Sequence, residues 1–141
     1  MLQSCVMTVE SAPSPQDTQL IHDRLREFNL AHAKADHFDP LAIFLRAEGG
    51  DIVAGLVGCT YWGWLYVNVF WIHEDWRKQG HGCAMLAAAE QEARRRGCRH
   101  AHLDTMDWQA LEFYHKQGYV TFGVLDDLPE GHCRYFLKKD I

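Results

Sequence analysis

Residues 77–82 read Arg-Lys-Gln-Gly-His-Gly, two cations directly ahead of two glycines one residue apart, in a chain of formal net charge −5. An apolar, alternating stretch (Leu65–Ile72) precedes this turn, and a stretch with helical patterning (Cys83–Gly97) follows it. A strand, a glycine-bearing turn with cations, and a helix together suit the binding of phosphate. Glycine lets backbone amides approach an anion closely, and the helix N-terminus adds its dipole. An acidic chain that gathers cations at such a turn is built there for an anionic ligand.

The elements around this turn are read from periodicity and punctuation. Residues 4–12 read as a short first strand, broken by Pro13 and Pro15. Leu20, Ile21, Leu25 and Phe28 then recur at helical spacing, with Ser14 as N-cap and Pro15 at the first helical position. Residues 41–62 form a hairpin around Glu48-Gly49-Gly50-Asp51. In the next strand Leu65, Val67, Val69 and Trp71 share one face, while Tyr66, Asn68, Phe70 and Ile72 share the other. Met85, Leu86, Ala89 and Ala93 make the apolar stripe of the following helix, which ends at Gly97 after three arginines that complement its dipole. Residues 99–105 are a strand and 108–118 a short helix. Two closing strands (119–125 and 132–139) flank a turn at Leu128-Pro129-Glu130-Gly131.

With 141 residues, 48% hydrophobic and 23% charged, the chain has the composition of a single globular domain, 1–141. No apolar run approaches the roughly 20 residues needed to span a bilayer, and the N-terminus lacks the pattern of a signal peptide. Five cysteines without a C-x-x-C pair imply reduced thiols and a cytoplasmic protein. The nine histidines are not spaced as a metal site, and the acidic balance argues against nucleic acid as the partner.

Together, residues 69–97 and 107–119 resemble the GNAT superfamily of acetyl-CoA-dependent N-acetyltransferases. The stretches 60–72 and 125–139 look like a bacterial subgroup labelled histone-acetyltransferase-like. The resemblance covers nearly the whole chain. It implies an α/β fold with a mixed, mostly antiparallel central sheet flanked by helices, in the order β-α-β-β-β-α-β-α-β-β. Acetyl-CoA is the implied co-substrate. Its pyrophosphate would be wrapped by the amides of Lys78, Gln79, Gly80, His81, Gly82 and Cys83, with Arg77 and Lys78 adding charge. Phe70, Trp71 and Ile72 would offer main-chain groups to the pantetheine arm. Tyr114 matches the tyrosine that protonates the departing thiolate. A family asparagine is replaced here by Asp107, which when ionised cannot donate to the pantetheine but is a good N-cap. Glu74 stands where a proline is common.

The acetyl acceptor in such a reaction is a primary amine. A lysine-like amine of pKa about 10.4 is mostly protonated at neutral pH, a handicap of roughly 4–5 kcal/mol that a base must relieve. Asp104, at the C-terminal end of its strand, is the first candidate. His102 shares its face, and Tyr66 or Asn68 could hold a water. Trp62, Trp64 and Tyr66 crowd a turn where they could form a platform for a cation, a piece of core, or a homodimer contact. Glu74 adds negative charge near the cleft, with Asp36, Asp39, Asp104 and Asp126. The function expected is direct acetyl transfer to the amine of a small cationic acceptor of the aminoglycoside-antibiotic type. A protein lysine or N-terminus is the alternative acceptor, and a non-catalytic acyl-CoA sensor is the alternative class.

Overall fold

The structure, a computed structural model, describes residues 3–141. It divides into two compact units, one running up to Asp36 and the other His37–Ile141. In the first, α1 (Pro15–His32) starts as expected: the Ser14 hydroxyl accepts from the Asp17 N–H at 3.1 Å, and proline occupies the first turn. The expected first strand is absent. Residues 3–10 pair with no strand, and Val6, Met7 and Val9 are exposed. Without a ladder partner an apolar stretch does not become a strand, and the chain order therefore begins with a helix.

The second unit contains β1 (Asp39–Arg46), β2 (Ile52–Tyr61), β3 (Trp64–Ile72), a 3₁₀ turn (Glu74–Trp76), α2 (His81–Arg95), β4 (His100–Met106), α3 (Leu111–Lys116), β5 (Val120–Asp126) and β6 (Cys133–Asp140). The six strands form one mixed sheet in the order β1-β2-β3-β4-β6-β5. All pairings are antiparallel except β3–β4, which is parallel and needs the long α2 crossover between its strands. Leu41, Leu56, Leu65, Val67, Leu103 and Leu137 of the sheet meet Met85, Leu86, Ala89 and Ala93 of α2 and Tyr114 of α3 in one core. Among the described residues no helix is long and apolar enough to cross a membrane.

Helix ends follow the punctuation of the sequence. Gly97 takes φ +89°, and the Cys98 N–H returns to the Ala93 carbonyl at 2.9 Å. The arginine run is more than a dipole complement. Arg96 donates to Glu92 and also to the carbonyls of Asp39 and Pro40, tying the end of α2 to the start of β1. Within the core, Glu90 is buried and accepts from the Tyr119 hydroxyl (3.1 Å) and from Lys139 Nζ (2.9 and 3.0 Å). A carboxylate so placed is tolerated because a cation and a hydroxyl both satisfy it.

The strict alternation expected for β3 breaks at one residue. Val57 pairs with Val69 but Gly58 pairs with Val67, so Asn68 is an extra residue, a β-bulge. Beyond it the faces exchange. Phe70 and Ile72 pack against the core, while Val69 and Trp71 are exposed. Gly58 makes the bulge possible, because a Cβ there would lie on the Tyr66 carbonyl. Gly58→Ala should therefore force β2 and β3 apart and destabilise the fold by about 3 kcal/mol. Chemical denaturation would measure this, and a loss below about 0.5 kcal/mol would mean that the bulge does not need glycine.

Candidate active site

The bulge opens the sheet. β3 and β4 pair only from Trp64↔His100 to Val67↔Leu103. Past that point β3 continues to Ile72 along β2, while β4 continues to Met106 along β6. The edge of β3 from Asn68 onward has no β4 partner, as the insertion of an extended arm requires.

At the end of β3 the chain turns through 73–80 into α2. The turn is braced from within: the His73 ring accepts from the Asp75 N–H, Arg77 Nε donates to the Ile72 carbonyl at 2.8 Å, and the Gln79 amide donates to the Asp75 carbonyl at 2.9 Å. Arg77 and Gln79 thus shape the loop with their side chains, a role that spacing alone did not reveal. Lys78 (φ +60°) and Gly80 (φ +85°) take the left-handed conformation that turns successive amides to one side. Gly80 is the N-cap of the 15-residue α2 and supplies no side-chain cap, and the first intrahelical bond comes from Ala84 N–H. The amides of His81, Gly82 and Cys83 are therefore free of helical partners. A Cβ on Gly80 would meet nothing within 4 Å, so the backbone faces open space there. Open amides, a helix dipole and Lys78 fit a pyrophosphate. Cys83 is drawn toward α3, its sulfur accepting from the Gln117 amide at 3.2 Å.

Tyr114 emerges from α3 into the core. Its ring packs edge-on against Phe113 (5.2 Å between centroids) and Tyr119 (5.9 Å), and it is 6% exposed. Burial first, and the charge of Asp104 second, push its phenol up to about 12. The ring is thus held rigidly and its proton is retained at neutral pH.

On the opposite face, β3 and β4 present Tyr66, Asn68, His102 and Asp104. The Tyr66 hydroxyl donates to Asn68 Oδ1 at 3.1 Å, and the Tyr66 ring stacks on His102 at 4.8 Å and 16°. His102 Nε2 lies 2.8 Å from the Tyr61 hydroxyl, and burial lowers its pKa against the opposing pull of Asp104. Asp104 is not a solitary carboxylate. Its Oδ1 accepts from Arg134 Nε at 2.8 Å and also from Arg134 Nη2. Arg134, two residues along β6 from the residue paired with Asp104, could be found only once the register was known.

Several sequence expectations are displaced. Trp62 and Trp64 belong to the closed end of the β3–β4 pair. Four residues of strand, about 13 Å, separate Trp64 from Asn68 at the divergence. Trp64 packs on His100 and His102 instead. Asp39 is at that same closed end, ion-paired with Arg96, and Asp36 is paired with Arg26. Asp107 caps no helix, since α3 starts after Ala110. Its carboxylate is held by the His132 ring (3.0 Å) and the Cys133 N–H (3.1 Å), which joins β4 to the β5–β6 turn and leaves little of it for a cofactor. Trp71 is 47% exposed, so its side chain is not core, whereas Phe70 and Ile72 are partly buried against the core. Glu74 is exposed in the 3₁₀ turn beside the loop.

Residues 7–119 match the acetyltransferase (GNAT) family. An acetyltransferase of Agrobacterium fabrum is 40% identical over 119 residues, 84% of this chain and 87% of that protein. The blasticidin-S acetyltransferase of Streptomyces morookaense is 35% identical over 101 residues, 71% of this chain and 74% of that one. A crystal structure from Agrobacterium tumefaciens that carries an acetyltransferase name superposes with a TM-score of 0.92 at 34% identity, covering 97% of this chain and 100% of its own. With a diverging parallel strand pair, an uncapped helix N-terminus beside it and these relatives, the chain belongs to the acetyltransferase (GNAT) family, enzymes that take their acetyl group from acetyl-CoA.

Proposed function

We propose that this acetyltransferase modifies the primary amine of a small cationic acceptor of antibiotic type. The observation that carries this reading is the 35% identity with blasticidin-S acetyltransferase over 71% of the chain. The charge near the strand ends supports it. Asp107, Asp126 and Asp127 lie close enough to Cys133 to help hold its thiol above the usual range, and Asp104 stands on the neighbouring strand. Such a rim attracts a cation. A protein lysine or N-terminus is the alternative acceptor, and the acceptor assay below separates the two.

Acetyl-CoA supplies the activated thioester. The residues proposed to receive it are the amides of Lys78 through Cys83, the main chain of Phe70–Ile72, and the cation of Lys78. A ligand bound only by the folded state adds RT ln(1 + [L]/Kd), about 2.7 kcal/mol at a hundredfold excess over Kd. Saturating acetyl-CoA should therefore raise the unfolding midpoint by about 5–10 °C. Gly80→Val, which puts a branched side chain at φ +85°, should lower the ligand-free midpoint and also abolish most of that rise. An undiminished rise in the variant would exclude the loop as the pyrophosphate site.

Tyr114 is proposed to hold the proton at Oη that the departing sulfur requires. A phenol at about 12 is a weaker acid than a thiol at about 8.5, by roughly 5 kcal/mol. The donor therefore acts as sulfur charge develops, through a short hydrogen bond, and does not release its proton beforehand. A raised phenol pKa keeps the proton on through pH 10, so Tyr114 contributes no alkaline limb below that pH. Tyr114→Phe should lower kcat about 100-fold at every pH from 6 to 9, with KM for acetyl-CoA nearly unchanged. A variant that turns over at the wild-type rate would remove Tyr114 from this role.

Asp104 is proposed to accept the amine proton, directly or through water, while Arg134 fixes its orientation from Oδ1. Asp104→Asn should cost at least tenfold in kcat/KM at pH 7 and recover in part toward pH 10, where the amine is neutral without help. Thiol release measured side by side with amine antibiotics and a lysine peptide would test the acceptor class as well. Preference for the peptide would overturn the small-molecule reading. A loss equal at all pH values would make the Asp104–Arg134 pair structural.

A further inference from the structure

Tyr114 stands on a helix that cannot hold itself. α3 has six residues, fewer than the roughly 12–15 an isolated helix needs, and Ala110 gives it no side-chain cap. Its place is therefore set by what it touches, and three contacts fasten it to α2. A Cβ on Gly82 would meet the Phe113 ring at 3.4 Å, and the Gln117 amide donates to Cys83 Sγ at 3.2 Å. The third contact comes from the chain that follows α3. It folds back at Gly118 (φ +93°), the Tyr119 N–H returns to the Tyr114 carbonyl at 3.0 Å, and the two tyrosine rings meet edge-on. The Tyr119 hydroxyl then donates to Glu90 Oε1 at 3.1 Å. Among the described residues Glu90 is the only buried carboxylate. Lys139 of β6 holds both its oxygens, at 2.9 and 3.0 Å. Stability alone does not ask for such a group, since an apolar side chain in place of a buried ion pair is often no worse.

We infer that Glu90 is a positioning residue for acetyl transfer, which through the Tyr119 hydroxyl fixes the Tyr114 ring relative to the amides at the start of α2. The inference rests on the roles proposed above for Tyr114 and for residues 78–83. Cys83 and Glu90 are seven residues apart on one stripe of α2, so they hold the α3 segment at two points about 10 Å apart. A single ligand must reach from the amides at the head of α2 to the Tyr114 hydroxyl, and its length is fixed. The acid therefore has to keep its spacing from those amides, and Glu90 belongs to the same rigid helix as they do. Lys139 prevents the carboxylate from swinging, and its ammonium lies 5.5 Å from the Tyr119 ring centre, closing the cluster from β6.

A double-mutant cycle tests this, read as thiol release from acetyl-CoA. Tyr119→Phe keeps the ring against Tyr114 and leaves Glu90 with Lys139, removing only the hydroxyl. It should lower kcat about tenfold, with KM for acetyl-CoA within about twofold of the wild type. In a Tyr114→Phe background the same change should cost less than about twofold, because no acid is left to misplace. A merely structural role would lower kcat equally in both backgrounds. Glu90→Met, which lacks the accepting oxygen, should reproduce the loss. It leaves Lys139, whose side chain is 25% exposed, able to turn its ammonium to water. Glu90→Gln keeps an acceptor for the hydroxyl and should stay within about threefold of the wild type. Should Tyr119→Phe fail to fold, the contrast between Glu90→Met and Glu90→Gln decides in its place, and equal losses in those two overturn the inference. An unchanged kcat in Tyr119→Phe, or an equal loss in both backgrounds, overturns it as well while leaving Tyr114 as the acid. Wild-type turnover by Tyr114→Phe alone overturns both.

Discussion

One extra residue in β3 determines how the rest of the second unit is used. Asn68 has no partner across β2, and the strand kinks where it is inserted. A parallel pair tolerates no such kink in only one member, so the β3–β4 ladder stops at Val67↔Leu103. The ladder hydrogen bonds given up there are the ones an extended ligand could replace. The same insertion turns Phe70 and Ile72 inward, and those two side chains anchor the far end of β3 on the core. The cleft is thus open in its backbone and closed in its side chains. That combination keeps it from collapsing, because closing it would expose Phe70 and Ile72 to water.

The helix after the bulge depends on the same geometry. α2 is the crossover between the two diverging strands, so its N-terminus must start near the end of β3. Glycine in place of a side-chain cap costs roughly a few tenths of a kcal/mol in an ordinary helix. Here Gly80 stands where a serine or aspartate would supply that bond. The bracing of the loop by Arg77 and Gln79 offsets the loss by fixing the turn independently of the helix. A rigid, uncapped N-terminus is what an anionic ligand can exploit.

Most of this architecture was legible in the residues, for reasons that can be named. Ser14-Pro15, Gly97 and the Glu48–Asp51 turn are local signals, and their hydrogen bonds fall where local chemistry places them. Gly58 was also legible in principle, because glycine inside a strand pattern marks a bulge or a close approach. The phase change at Asn68 was not, since a period of two looks unbroken until the partner strand is known. The first strand failed for the converse reason: residues 4–12 satisfy a local pattern, but a strand exists only in a ladder. In the candidate site, the loop residues 77–83 and Tyr114 were legible as candidates by position and type. Arg134 could not, because it reaches Asp104 from a strand 30 residues further along the chain. Which of the alternatives open for Trp62 and Trp64 applies was not legible for a similar reason: a strand nine residues long has two ends, and only the register tells which end is open.

The pairing of Asp104 with Arg134 changes what a carboxylate at that place can do. A lone aspartate beside a cleft would attract any cation, and the first cation available is the protein's own. Arg134 takes Oδ1 through two nitrogens, which holds the carboxylate plane while adding a positive charge beside it. In the proposed function, the electrostatic pull on a cationic acceptor would then come from the surroundings, from Asp107 and Asp126 near Cys133. Asp107 is itself shared with the His132 ring at 3.0 Å. An arrangement of this kind separates two tasks that one group performs poorly together. In the proposed function, the outer carboxylates would gather the cation through long-range attraction. The inner one, oriented by Arg134, would be left to exchange a proton at short range with a group that has already arrived.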